Sequence, residues 1–188
     1  MVKIASAFLF METERLFLKF YVATDKADLI ALFTDAAVMK HVGEGVLTKA
    51  QAEIWWQKLF EKLYPQGFKI WAIFTKEDSS YIGHAGIYPR QTKMEDWEFV
   101  YFLCRDAWGK GFATEIARRI IEYSFEELNL PEVFATVDDD HSASIRVLEK
   151  AGMKFERFEF DDDGRFSVYS IRRRFFIENF NFSQKDTD

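Results

Sequence analysis

What most constrains this chain is a buried strand joined to a helix by a glycine-rich turn. Trp97-Glu98-Phe99-Val100-Tyr101-Phe102-Leu103-Cys104 is a nearly continuous apolar run and reads as a strand covered on both faces. Arg105 to Thr114, with Gly109 and Gly111, then leads into an amphipathic helix. That helix carries Ala113, Ile116, Ala117, Ile120, Ile121, Ser124 and Leu128 on one side, with Arg118 and Glu122 expected to pair on the other. Such a turn is a ready anion site, because the free amides of the first helical turn and the positive end of the helix dipole converge there. Glycine lets a phosphate approach backbone that a Cβ would shield. A Walker loop is excluded because G-x-x-x-x-G-K-[ST] is missing, and a Rossmann fingerprint because Thr114 stands in its last place.

Before this stretch, Thr13 to Tyr21 reads as a strand, and Thr24 or Asp25 caps a helix carrying Leu29, Ile30, Leu32 and Phe33. Thr48 and Gln51 form a capping-box pattern ahead of Ala52, Trp55, Trp56, Leu59, Phe60 and Leu63 at helical spacing. Phe68 to Thr75 and Tyr81 to Tyr88 read as a hairpin around Asp78-Ser79-Ser80, with Arg90 to Asp96 as a polar loop. Beyond the central helix come a strand at Val133–Val137, a helix begun by Ser142 or Ser144 and ended by Gly152, and a strand pair, Lys154–Phe160 and Phe166–Arg174, around Asp161-Asp162-Asp163-Gly164. The order is that of a mixed α/β domain.

A chain of 188 residues, 48% hydrophobic, is expected to form a single domain over 1–188, with about 180–188 as a frayed tail. The net charge of −6 speaks against a nucleic-acid partner and favours amines. The single cysteine, Cys104, excludes an internal disulfide, and His41, His84 and His141 are too scattered in sequence for a metal motif, so no metal is expected. The apolar run Ala5–Met11 is too short to span a bilayer, so no membrane role and a cytoplasmic location are expected.

Trp108-Gly109-Lys110-Gly111-Phe112-Ala113-Thr114-Glu115 resembles the acyl-CoA pyrophosphate loop of the GNAT N-acetyltransferase superfamily. Asp138 to Met153 resembles the second half of its RimJ/RimL-like branch, and Thr13-Glu14-Arg15-Leu16 is similar to that branch's first strand. The resemblance implies a GNAT-like fold: a central, mixed, mostly antiparallel twisted sheet of about six or seven strands, flanked by about four helices and splayed between its fourth and fifth strands. It implies an acetyl-CoA-dependent N-acetyltransferase, a cytoplasmic monomer or homodimer. The amine (a protein N-terminus, a polyamine or a small amine) would attack the thioester directly. The alternatives are transfer of a different acyl group, or an acyl-CoA-binding regulatory module without catalysis.

Acyl transfer to an amine needs a held donor, a neutral amine and a protonated or stabilised thiolate. The resemblance implies that Phe102, Leu103, Cys104, Trp108, Gly109, Lys110, Gly111, Phe112, Ala113, Thr114, His141 and Ser144 bind the cofactor, with Lys110 and Arg105 adding positive charge. Catalysis falls to Glu98 and Ser144. Glu98, among Trp97, Phe99 and Tyr101, is the expected general base, its pKa raised by desolvation, with a simple ion pair as the alternative. Leu148 stands where many GNAT enzymes carry Tyr, and the resemblance to the RimJ/RimL-like branch implies Ser144 as the thiolate donor, directly or through water; helix capping is its alternative. Asp138 and Asp139 are second choices, more readily explained by loop solvation and capping, and Cys104 reads as packing. His141 stands where the family has Asn, and Val100 where relatives often have Gly.

Overall fold

A computed structural model describes residues 9–43, 45–90, 93–161 and 164–176. Eight strands form one sheet: β1 (Leu9–Glu12), β2 (Leu16–Lys19), β3 (Lys69–Thr75), β4 (Tyr81–Arg90), β5 (Lys93–Leu103), β6 (Glu132–Asp138), β7 (Lys154–Asp161) and β8 (Gly164–Arg172). Their spatial order is β1-β2-β3-β4-β5-β6-β8-β7. The helices that accompany them are α1 (Lys26–Thr34), α2 (Ala36–Met39), α3 (Lys49–Lys58), α4 (Phe112–Glu126) and α5 (Ser142–Lys150), with a further helical run at 173–176. The expected tail from residue 180 and the turn residues Asp162 and Asp163 lie outside the described residues.

All neighbouring strands pair antiparallel except β5 and β6, which run parallel and share one register pair, Glu98 with Phe134. The sheet therefore opens from that point onward, between the two strands expected to splay. Three expectations need correction. The first strand is two, because the chain turns between Glu12 and Leu16, where the Thr13 amide donates to the Leu16 carbonyl at 3.0 Å. The polar stretch after Arg90 is not a loop: β5 starts at Lys93 and pairs back to Arg90, so its cross-strand partners override its polarity. Arg118 does not pair with Glu122; Arg119 does, at 2.8 Å, while Arg118 Nη2 reaches the Lys150 carbonyl at 2.9 Å.

Side chains alternate across the sheet. Trp71, Ile73, Ala85, Phe99 and Leu103 face α4 and α5 and pack on Ile116, Ile120 and Leu148. Ile70, Ala72, Phe74 and Phe102 face α1–α3 and pack on Leu29, Phe33 and Trp56. The capping box of α3 forms as expected: the Gln51 amide donates to Thr48 Oγ1 at 3.3 Å, and the Thr48 amide to Gln51 Oε1 at 2.8 Å. Asp25 precedes α1 without capping it through its side chain, which accepts from the Val22 amide and from Lys19.

The α1–α3 core also holds a chain of polar groups. His84 is 1% exposed, its ring stacked 4.6 Å from that of Phe102. Its Nδ1 lies 3.0 Å from Tyr21 Oη, and its Nε2 2.8 Å from Tyr88 Oη. Tyr21 Oη meets Tyr81 Oη at 2.9 Å. Burial drives the imidazole down to about 3, so it is neutral, one ring nitrogen donating and the other accepting.

Candidate active site

The strand-to-helix turn has the expected form. After β5 a short 3-10 turn, Arg105–Ala107, leads to Gly109 and Gly111, with φ of 72° and 81°. Gly111 is the residue before α4 and sits in the left-handed region, where a β-carbon is disfavoured. Among the described residues, the amides of Gly109 through Thr114 donate no hydrogen bond; the first committed amide is that of Glu115, to the Gly111 carbonyl at 3.2 Å. Six donors thus stand open at the positive end of a 15-residue helix. A groove of about 700 Å³ borders Gly111 and Thr114 of this set, its walls mixing Arg15, Arg118 and Arg119 with Glu12, Glu14, Glu115 and Glu122.

The turn is held from the far end of the chain. Arg15 donates through Nη1 to the Lys110 carbonyl at 2.9 Å and through Nε to Glu115 Oε2 at 2.8 Å, and its guanidinium lies 4.6 Å from the Phe112 ring centre. Glu115 Oε1 accepts from the Arg15 amide at 2.9 Å and from Thr13 Oγ1. Burial alone would raise the Glu115 carboxyl, but the hydrogen bonds from Thr13 and Arg15 outweigh it and hold it low. Arg15 and Glu115 each stand in a stretch quoted for the resemblance, but their pairing was not foreseen from sequence. Of the two cations expected near the loop, Arg105 is bound to Asp35 of the α1–α2 junction at 3.0 Å. Trp108, half-exposed, donates its indole N–H to the Leu103 carbonyl at 2.8 Å.

The Cys104 amide is already committed to the Ile82 carbonyl at 2.9 Å and is not free for a cofactor. Strand alternation puts the Phe102 amide on that same β4 side and turns those of Leu103 and Tyr101 toward the opening. Burial pushes the Cys104 thiol up to about 11, consistent with packing.

Glu98 and Ser144 lie on opposite sides of β5. Glu98 shares the α1–α3 face with Phe102, and its Oε1 accepts the Thr136 amide at 3.2 Å and the Thr136 hydroxyl. Its Oε2 is 3.7 Å from Arg90 Nε; Arg90 is 4% exposed and also binds Glu159 at 2.8 Å. The ion pair foreseen as the alternative to catalysis is therefore present. Ser144 caps nothing; its Oγ lies 3.1 Å from Tyr101 Oη, across the opening from α5 to β5. Burial pushes the Tyr101 phenol up, and the Ser144 contact only partly offsets this, so it keeps its proton at neutral pH. Leu148 is core, 2% exposed.

Two histidines distant in sequence meet here. The His41 and His141 rings stack with centres 4.3 Å apart and planes within 18°. His41 Nδ1 is 3.0 Å from Asp138 Oδ2 and 3.6 Å from Asp140 Oδ1. Desolvation, then the neighbouring His41, lowers His141. Asp139 turns away to Ser167 and Arg165.

A donor-lined helix start thus stands beside a parallel strand pair that shares one register position. The family profile described as "Acetyltransferase (GNAT) domain" matches residues 15–154, and the chain belongs to that family. It is 34% identical over 149 residues to the YkkB protein of Bacillus subtilis (strain 168), covering 77% of this chain and 85% of that one. The fold is similar to a GNAT-family acetyltransferase from Bacillus anthracis (TM-score 0.75, 24% identity, 89% of this chain and 99% of that one). It is also similar to spermidine N-acetyltransferase from Vibrio cholerae, solved with CoA and spermine (TM-score 0.73, 19% identity, 86% and 98%). GNAT acetyltransferases use acetyl-CoA. No described helix is long and apolar enough to cross a membrane.

Proposed function

We propose that this protein is an acetyl-CoA-dependent N-acetyltransferase of the RimJ/RimL-like branch, acting on a primary amine by direct attack. The observation that carries the reading is the set of uncommitted amides from Gly109 to Thr114, next to an opening bridged by a hydroxyl pair. The amides of Gly109, Lys110, Gly111, Phe112, Ala113 and Thr114 would take the pyrophosphate, with the Lys110 ammonium nearby. The pantetheine would lie between β5 and β6 and meet the amides of Tyr101 and Leu103, while His141 and Ser144 line its α5 side.

The amine would enter from the α1–α3 face, the side of β5 on which Glu98 lies. The amine nitrogen forms a bond to the thioester carbonyl carbon, the C–S bond breaks, and the thiolate takes a proton on the α5 side. Tyr101 and Ser144 form the donor pair there. That pair supports turnover over a binding-only module, because it would offer a proton donor where Leu148 cannot. Asp138 and Asp140, with side chains 52% and 73% exposed, leave the mouth acidic and suit a cationic acceptor such as a polyamine or a peptide N-terminus.

The test is calorimetric titration with acetyl-CoA, then mass spectrometry of products from spermidine, a short peptide with a free N-terminus and an aminoglycoside. Micromolar binding and acetylation of at least one amine are expected. No binding sinks the reading outright; binding without any acetylated product returns the protein to the class of acyl-CoA sensors.

A further inference from the structure

We propose that His41, held by Asp138, is the group that takes the proton from the attacking amine; the inference rests on the acetyl-transfer reading above. The argument starts from the hydrogen bond. A carboxylate only accepts, so the contact at 3.0 Å places the proton on His41 Nδ1 and leaves a lone pair on Nε2. A base oriented by a third group is the arrangement that general-base catalysis requires. Asp140 at 3.6 Å places a second carboxylate oxygen on the same edge of the ring.

Placement favours His41 too. It follows α2, which packs against β5 from the face on which the amine arrives. Asp138 is the last residue of β6, so the pair spans the outlet of the strand opening. His141, stacked on His41, accepts the Ser144 amide at its carbonyl (3.0 Å), and Ser144 meets Tyr101. The imidazole thus lies one ring and one helical turn from the hydroxyl pair assigned to the thiolate. The His41 side chain is 17% exposed, sheltered yet reachable. Glu98 compares poorly, since its Oε1 accepts twice from Thr136 and its Oε2 faces Arg90.

The proton balance is simple. The ammonium gives one proton to His41 Nε2, which passes it to water; the neutral amine attacks, the C–S bond breaks as the amide forms, and the second nitrogen proton released then reaches the thiolate through the Tyr101–Ser144 pair, so one proton leaves to solvent per turnover. The charged and titratable groups around the ring are Asp138, Asp140 and His141, with Lys40 adjacent in the chain.

The test compares wild type, His41→Ala, His41→Gln and Glu98→Gln, using the amine of the panel that wild type turns over fastest. We expect kcat to fall about a hundredfold or more in both His41 variants, in the range of general-base losses. Acetyl-CoA affinity should stay within about twofold, and added imidazole should restore at least about tenfold of the His41→Ala rate. Retention of more than a fifth of kcat, or a loss that imidazole does not repair, overturns the assignment; so does a Glu98→Gln variant that loses kcat about a hundredfold while both His41 variants keep theirs. Should wild type acetylate nothing, the activity reading has failed, and the pair is judged by proton NMR. A downfield Nδ1 proton lost in Asp138→Asn supports it, and its absence from wild type overturns it.

Discussion

Replacing His84 with Gln should remove a distinct slope from the stability curve of this protein. The imidazole is fully enclosed among Tyr21, Tyr88, Phe33, Trp55 and Phe102, and burial lowers it to about 3. In the unfolded chain the same group titrates near 6.5. The folded value is the lower one, so the unfolded state binds more protons, and stability falls as pH drops below the unfolded value. At about 1.36 kcal/mol per pH unit, the loss between pH 7.5 and 5.0 is about 2 kcal/mol, levelling off only near the folded value. The depressed carboxyls Asp35, Glu115, Asp139 and Glu159 act with the same sign, but only as pH falls through the ordinary carboxylate range, below this window. His141, also lowered, contributes equally to both proteins and cancels in the comparison. Urea unfolding at three pH values, wild type against His84→Gln, gives the answer. The variant starts lower by about 1–3 kcal/mol for the disturbed hydrogen bonds but runs flatter. Parallel curves within about 0.5 kcal/mol would refute the neutral, dry imidazole.

Gly111→Ala should lose about 1 kcal/mol of stability, because the added Cβ meets only Arg15 Nη2 at 3.5 Å while the backbone φ of 81° disfavours it; thermal unfolding with and without acetyl-CoA measures both this and the accompanying loss of affinity. Glu115→Ala should cost about 1–3 kcal/mol and loosen the glycine loop, read as lower backbone NMR order parameters at Lys110 to Thr114, since Arg15 and Thr13 lose their shared acceptor. Cys104 should react slowly with iodoacetamide at pH 7.5, its thiol lying near 11, and Cys104→Ala should keep full turnover; rapid alkylation that abolishes activity would contradict its packing role.

The parts readable from sequence are those written locally. The glycine loop, the amphipathic α4, the Thr48–Gln51 cap and the strand alternation each need only a few neighbouring residues to declare themselves. Arg15 and Glu115, by contrast, are 100 residues apart, and nothing near either announces the other. The same holds for His41 and Asp138, and for Tyr21, His84 and Tyr88: histidines scattered along the chain became neighbours only through the sheet order. The stretch Arg90 to Asp96 misled for the opposite reason, its local polarity being outvoted by pairing with β4. Glu98 drew notice by its place on the central strand, but its ties to Thr136 and Arg90 are tertiary and could not be read there.

The lone register pair between β5 and β6 has a mechanical corollary. The sheet is two panels fastened at one rivet, backed on one side by the α4–α5 layer. An extended guest lying in the seam would bond to either panel and act as a temporary rung, so occupancy should brace the two panels against each other. Turnover would then alternate between a braced and a slack scaffold, and release of the spent guest would be the moment at which the panels regain their freedom.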